Sequence, residues 1–107
     1  MEKGGFTYIL SNYKRTTLYI GVTNDIERRV LEHKIGKGSK FSSQYQLKYL
    51  LYFEEHTTIN DGIEREKQLK NWHKDWKWNL IKEDNPQLED LAKDWYDEEM
   101  IKENTAD

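Results

Sequence analysis

Tyr8 and Tyr19 lie in two short runs, Phe6-Thr7-Tyr8-Ile9-Leu10-Ser11 and Thr16-Thr17-Leu18-Tyr19-Ile20-Gly21, whose aromatic and β-branched residues mark them as strands. Between them Asn12-Tyr13-Lys14-Arg15 reads as a four-residue hairpin loop, which pairs position i with 27 − i. That register sets Tyr8 directly opposite Tyr19, with both phenols on one face of the sheet. Two facing phenols just ahead of a glycine are an unusual thing to build for packing alone. The plainer reading is two stacked surface tyrosines on a hairpin.

Helical spacing selects the charged residues that join them. In the segment opened by Asn24-Asp25-Ile26-Glu27, an Asx N-cap with Glu at N3, Ile26 and Val30 define the buried stripe. Arg29 and His33 fall on that stripe, whereas Arg28 lines up with Asn24 and Glu32 on the outer face. Arg29 is therefore expected under the tyrosine face and Arg28 in solvent. In a later helix Ile59 and Ile63 set the stripe, and Glu66 and Lys70 continue it while Glu64 points away. A carboxylate on an apolar stripe is costly unless it pairs, with Arg29 or Lys70 here, or binds a cation. For His33 the plainer reading is a hydrogen-bonded core histidine, since no carboxylate or second histidine completes a metal pair on its face.

These groups need elements to hold them. The first helix ends at Gly36, and Lys34 to Ser43 forms a basic loop containing Lys37, Gly38, Ser39 and Lys40. Leu47 to Glu54 reads as a third strand, and Thr57 or Thr58 caps a helix running to about Trp72, with Asp61 completing a loose capping box. A bend at Trp72-His73-Lys74-Asp75 leads into a helix over Trp76 to Glu83. Asn85-Pro86 starts another, in which Leu88, Leu91, Ala92 and Trp95 make an amphipathic stripe expected to dock on the domain. Residues 97–107 lack periodicity and are expected to fray. The four tryptophans, Trp72, Trp76, Trp78 and Trp95, read as packing residues. The expected fold is α+β: a small, mostly antiparallel three-stranded sheet flanked by helices, in the order β-β-α-β-α-α with an extra C-terminal helix.

At 107 residues the chain has length for one domain, divided here into a working part over 1–83 and a helix with acidic tail over 84–107. Cysteine is absent, which excludes disulfides and thiolate metal sites, and no apolar run reaches membrane-spanning length. A cytoplasmic protein is the simplest expectation. The net charge of −3 hides a segregation: residues 1–50 carry nine Lys/Arg against four Asp/Glu, and residues 84–107 carry two against nine. A basic front half suits a polyanionic partner.

Tyr8, the tripeptide Tyr19-Ile20-Gly21, the run Asn24-Asp25-Ile26-Glu27-Arg28-Arg29 with Glu32-His33, and Glu66-Lys67-Gln68-Leu69-Lys70 together resemble the GIY-YIG nuclease superfamily. The likeness is to its small stand-alone bacterial members related to the nuclease domain of the excinuclease C subunit, and it runs from about Phe6 to Ile81. The first motif reads Thr7-Tyr8-Ile9, so only its tyrosine is kept, and Val22 stands where the excinuclease relatives carry a lysine. The resemblance implies a DNA endonuclease in which Tyr19 is the general base on the attacking water and Tyr8 helps to position water and phosphate. It implies Arg29 on the scissile phosphate, His33 as a frequent companion histidine, and Glu66 as the single acidic ligand of Mg²⁺ or Mn²⁺. Asn79 stands near a late asparagine of some members. Arg29, Lys37, Lys40 and Lys70 are the expected nucleic-acid contacts, and the implied partner is DNA, branched or damaged forms included, with a role in DNA repair among those the family fills. Two alternatives stay open: a module that binds nucleic acid through the same basic face without cutting it, and a protein-interaction domain in which Tyr8, Tyr19 and Glu66 are structural.

Overall fold

The computed structural model describes residues 4–105. Strands β1 (Gly5–Ser11), β2 (Leu18–Thr23) and β3 (Tyr49–His56) form one antiparallel sheet in the order β2-β1-β3. Helices α1 (Ile26–Lys34) and α2 (Lys40–Gln44) connect β2 to β3; α3 (Ile59–Lys70), α4 (Lys74–Asp84) and α5 (Glu98–Thr105) follow. This is the α+β class expected from the sequence. The central strand β1 is buried along nearly its whole length because both faces are covered. On one face Tyr8 and Leu10 pack with Ile26, Val30, Leu47, Leu50 and Ala92. On the other Ile9 packs with Ile20, Leu51, Leu69 and Ile81. Among the described residues no helix is long and apolar enough to cross a membrane.

The hairpin register differs from the expected one. Tyr8 pairs with Gly21 and Leu10 with Tyr19, so the connection runs over Asn12 to Thr17 and is two residues longer than the four expected. Asn12 is the reason. Its Oδ1 accepts from the backbone N–H groups of Thr16 at 2.8 Å and Thr17 at 3.1 Å, taking both out of the ladder. Arg15 adopts φ 60°, closing the turn. Because side chains alternate with period two, a slip of two residues keeps every side chain on its face. Tyr8 and Tyr19 therefore still share a face, as neighbours one step along the strand, with ring centroids 6.3 Å apart.

Gly21 now lies directly across from Tyr8, and the phenol ring covers it so closely that a Cβ there would fall within the ring. Gly21→Ala should thus push Tyr8 off its seat and destabilise the domain by about 1–3 kcal/mol, the usual scale of overpacking. A urea unfolding midpoint at the wild-type value would refute this.

Element ends show smaller differences. Asp25 rather than Asn24 caps α1, accepting from Arg28 N at 3.2 Å, and the helix stops before Gly36 at φ +80°. Inside the expected basic loop sits α2, one short turn held by reciprocal bonds between Ser39 and Ser42. Five residues are too few for a hydrophobic period to announce them. The third strand lies at Tyr49–His56 rather than Leu47 to Glu54, with a bulge where β1 passes from Ile9 to Leu10. Thr58 caps α3 as expected, accepting from Asp61 N at 3.2 Å. The buried positions of α3 are Gly62 and Leu69; Ile59 and Ile63 are only half-buried, and Lys70 lies in solvent. His73 caps α4, so that helix begins at Lys74, ahead of Trp76.

The helix expected after Pro86 is absent. Residues 86–97 form an irregular strap whose backbone is bound elsewhere. Asn85 Nδ2 donates to the carbonyls of Leu51 at 3.0 Å and Glu89 at 2.8 Å. Asp90 accepts from the N–H groups of Leu50 and Ala92 and forms an ion pair with Lys34 at 2.6 Å, both partners largely buried. Side-chain bonds of this kind compete with the helical ladder and win here. Ala92 and Trp95 still reach the core, and Leu91 is exposed. Helix forms later, at Glu98–Thr105, where fraying was expected, with Asp97 capping Met100 N at 2.7 Å.

Candidate functional site

The hydroxyl of Tyr8 is the meeting point of the site. The residue is 1% exposed, and its oxygen lies 3.0 Å from His33 Nε2 and 3.4 Å from Arg29 Nε. The two α1 residues reach it because Arg29 and His33 are four apart and stand above one another on the face turned to β1. Arg29 is half-buried and also donates from Nη1 to Glu32 Oε1 at 3.1 Å, while Arg28 projects into solvent, as the helical spacing predicts. A cleft of about 340 Å³ opens beside Arg29, lined by Thr23, Asn24, Asp25, Arg28, Arg29 and Glu32.

Tyr19 completes the aromatic wall. Its ring lies 5.3 Å from the His33 ring and stacks at 6.4 Å on Phe41, which in turn contacts Tyr45 at 4.7 Å. Phe41 and Tyr45 are about half exposed and belong to α2 and its C-cap, flanked by the exposed Lys37 and Lys40. Among the described residues the Tyr19 hydroxyl has no hydrogen bond, in contrast to that of Tyr8.

Electrostatics separates the roles of these groups. Burial pushes the Tyr8 phenol up to about 12, against the lowering effect of its Arg29 hydrogen bond, so Tyr8 keeps its proton at neutral pH. The Glu66 carboxylate adds to that rise, which puts Glu66, half-buried on α3, within the field of Tyr8. Burial opposes the charge of Arg29, but its bonds to Tyr8 and Glu32 more than offset this and hold it above its ordinary value. Burial, reinforced by Arg29, pushes His33 down to about 4, with Glu32 pulling weakly the other way. His33 is a neutral imidazole at pH 7.

That depression has a consequence for stability. Between the unfolded value near 6.5 and the folded value near 4, the unfolded chain binds a proton that the native state refuses. The contribution is complete above pH 6.5, falls as the pH drops, and is lost below 4, a change on the order of 3 kcal/mol. Urea titrations should show this acid sensitivity in the wild type and a flatter profile in His33→Gln. Parallel profiles would contradict it.

Glu66 pairs with Lys70 at 3.7 Å, not with Arg29, whose carboxylate partner is Glu32. Among the described residues no three His, Asp, Glu or Cys side chains gather to cage an ion. A cation at Glu66 would therefore complete its shell with waters and substrate oxygens, a donor set that suits Mg²⁺, which keeps several waters and takes one or two carboxylates. The remaining expectations divide. Lys70 is exposed beside Glu66. Asn79 lines a separate groove with Trp72, Trp76, Leu80 and Glu83, and Trp76, although in edge contact with Trp72, is exposed. Three site residues carry no motif in the sequence: Phe41 and Tyr45, in the aromatic wall, and Ser42, 2% exposed, whose Oγ lies 2.8 Å from His33 Nδ1. The spacing Ser39-x-x-Ser42 was the only local signal for Ser42, a reciprocal cap rather than a site motif.

Comparison with known proteins places the chain in a family. A family model described as the GIY-YIG catalytic domain matches residues 4–79. A UPF0213 protein of Staphylococcus epidermidis is 33% identical over 67 residues, covering 63% of this chain and 82% of its own. One of Haloquadratum walsbyi is 36% identical over 67 residues, 63% of this chain and 75% of its own. One of Bacillus pumilus is 31% identical over 72 residues, 67% and 74% respectively. No solved structure matches the chain. With Tyr8, Tyr19, Arg29 and His33 gathered on one face and most of the chain inside the match, the chain belongs to the GIY-YIG family, a family of nucleic-acid hydrolases that generally use a divalent metal.

Proposed function

We propose that the chain is a divalent-metal-dependent endonuclease that hydrolyses DNA phosphodiester bonds. The observation that supports this best is the convergence of Arg29 and His33 on the Tyr8 hydroxyl, with Tyr19 beside them and its own hydroxyl unbonded among the described residues.

In this reading the scissile phosphate enters the cleft beside Arg29. The guanidinium donates paired, permanently charged hydrogen bonds to the nonbridging oxygens. Tyr8, fully protonated, serves orientation: its oxygen holds Arg29 Nε in place next to the phosphate. Tyr19 takes the proton from the attacking water. A free phenol has a pKa of about 10, so this step needs nearby positive charge or proton transfer concerted with attack. Glu66 would hold Mg²⁺ or Mn²⁺, and such an ion would supply stabilisation of charge at phosphorus and on the leaving oxygen. Lys37, Lys40 and Lys70 neutralise flanking phosphates, while Phe41 and Tyr45 offer ring faces for bases.

The test is cleavage of labelled single-stranded, duplex, flapped and branched DNAs with Mg²⁺ or Mn²⁺, beside Glu66→Gln. The expected outcome is metal-dependent product in the wild type and none in the variant. Salt-sensitive DNA binding by both proteins with no cleavage by either would replace the nuclease reading with a binding module.

A further inference from the structure

Beneath the site lies a chain of hydrogen bonds that the proposed chemistry does not yet use. His33 is 1% exposed, and each ring nitrogen has one partner: Nε2 lies 3.0 Å from Tyr8 Oη and Nδ1 lies 2.8 Å from Ser42 Oγ. A neutral imidazole carries one proton, so one nitrogen donates and the other accepts. The neighbours decide which. Ser42 Oγ accepts from Ser39 N–H at 3.1 Å and lies 3.2 Å from the Ser39 carbonyl, which can take its hydrogen. Tyr8 Oη accepts from Arg29 Nε at 3.4 Å.

Two arrangements are conceivable. With the proton on Nδ1, His33 donates to Ser42, Ser42 donates to the Ser39 carbonyl, and Tyr8 donates to Nε2, so every hydrogen has an acceptor. With the proton on Nε2, the Ser42 hydrogen turns to Nδ1 and the buried Tyr8 hydrogen loses its acceptor among the described residues. An unsatisfied buried hydroxyl costs about 1–3 kcal/mol, enough to settle the choice. The loop is shaped to this end: a Cβ on Gly38 would fall inside the His33 ring, so only glycine lets the loop lie flat against it.

We infer that Ser42 is a positioning residue that, by accepting from Nδ1–H while Tyr8 donates to Nε2, holds His33 as the Nδ1–H tautomer, so that the Tyr8 proton points inward and the Tyr8 oxygen presents its lone pairs to Arg29. Its effect on cleavage rests on the nuclease reading above; the tautomer itself does not.

The experiment is ¹H–¹⁵N correlation on protein labelled at histidine, with His33→Gln identifying the His33 signals among the three histidines. The expected wild-type spectrum has a protonated, pyrrole-type Nδ1 and a pyridine-type Nε2. Ser42→Ala leaves Nδ1–H without its acceptor while Nε2–H would still orphan the Tyr8 hydrogen, so the ring should change from the pure Nδ1–H form to a mixture of tautomers, and Ser42→Thr, which keeps the hydroxyl, should restore the wild-type pattern. Ser39→Ala removes the cap's hydroxyl but leaves the Ser39 backbone and Ser42 Oγ in place, and should leave the tautomer unmoved. In cleavage assays Ser42→Ala should lower kcat by about 10–100-fold, the usual cost of losing an orienting partner, with KM unchanged and Ser42→Thr near wild type. A wild-type Nε2–H ring, an unchanged tautomer in Ser42→Ala, or an equal shift in Ser39→Ala would each overturn the inference. Should the wild type cut no DNA while the tautomer behaves as stated, the nuclease reading fails and the positioning role stands.

Discussion

Tyr19→Phe is expected to leave the domain folded and to reduce DNA cleavage by about 10²–10⁴-fold, the span associated with loss of a positioned proton acceptor. The contrast with Tyr8 makes the prediction sharp. Tyr8 is sealed in the core, with its hydroxyl bound to His33 and Arg29 and its phenol pushed up to about 12, so it cannot readily accept a proton from water. Tyr19 is half-buried, keeps its ring contacts with His33 and Phe41, and among the described residues loses no hydrogen bond when the oxygen is removed. Phenylalanine preserves those contacts, so the change isolates the hydroxyl. Single-turnover cleavage and a urea midpoint, measured on the same preparation, separate chemistry from stability. Turnover equal to wild type would end the base assignment.

Arg29→Ala should cost about 10³–10⁵-fold in the cleavage rate, by comparison with arginines that neutralise charge on a transferring phosphoryl group. Two side chains, Tyr8 and Glu32, fix the Arg29 guanidinium at the mouth of the cleft, and both keep it charged. Lysine should rescue poorly, because a point charge on a flexible stem cannot reproduce the planar fork. Substitution of the neighbouring Arg28, which projects into solvent, provides the control and should act through DNA affinity and salt dependence alone. A loss below tenfold in Arg29→Ala would argue that the phosphate is bound elsewhere.

Local periodicity carried much of this. The alternation of β1 and β2 put Tyr8 and Tyr19 on one face, and that survived the difference in register because the slip was an even number of residues. The 3.6-residue period of α1 distinguished Arg29 from Arg28 and placed His33 beneath the sheet, because both the helix and its apolar stripe are local properties. Helical spacing says less about α3. Gly62 is buried there, packed close to Val22, and a glycine gives no hydrophobic signal. The strap over residues 86–97 reversed the expected helix outright. Its stripe of apolar residues was real, but Asn85 and Asp90 turn their side chains to the backbone of β3 and of the strap itself, and the β3 partners are distant in sequence.

Spacing and side-chain type establish which residues share a face and the α+β class, whereas the phosphate chemistry expected of Tyr19, Arg29 and Glu66 comes from the resemblance to the GIY-YIG family. Tertiary structure decided which partner each group has. That Tyr8 rather than Tyr19 bonds to His33 and Arg29, and that Ser42 meets His33 from a turn nine residues away, are outcomes of packing between separate elements. Hydrogen bonds act over about 3 Å and depend on direction, so they are settled only when helix, strand and loop are brought together, and no periodicity within one segment can reveal them.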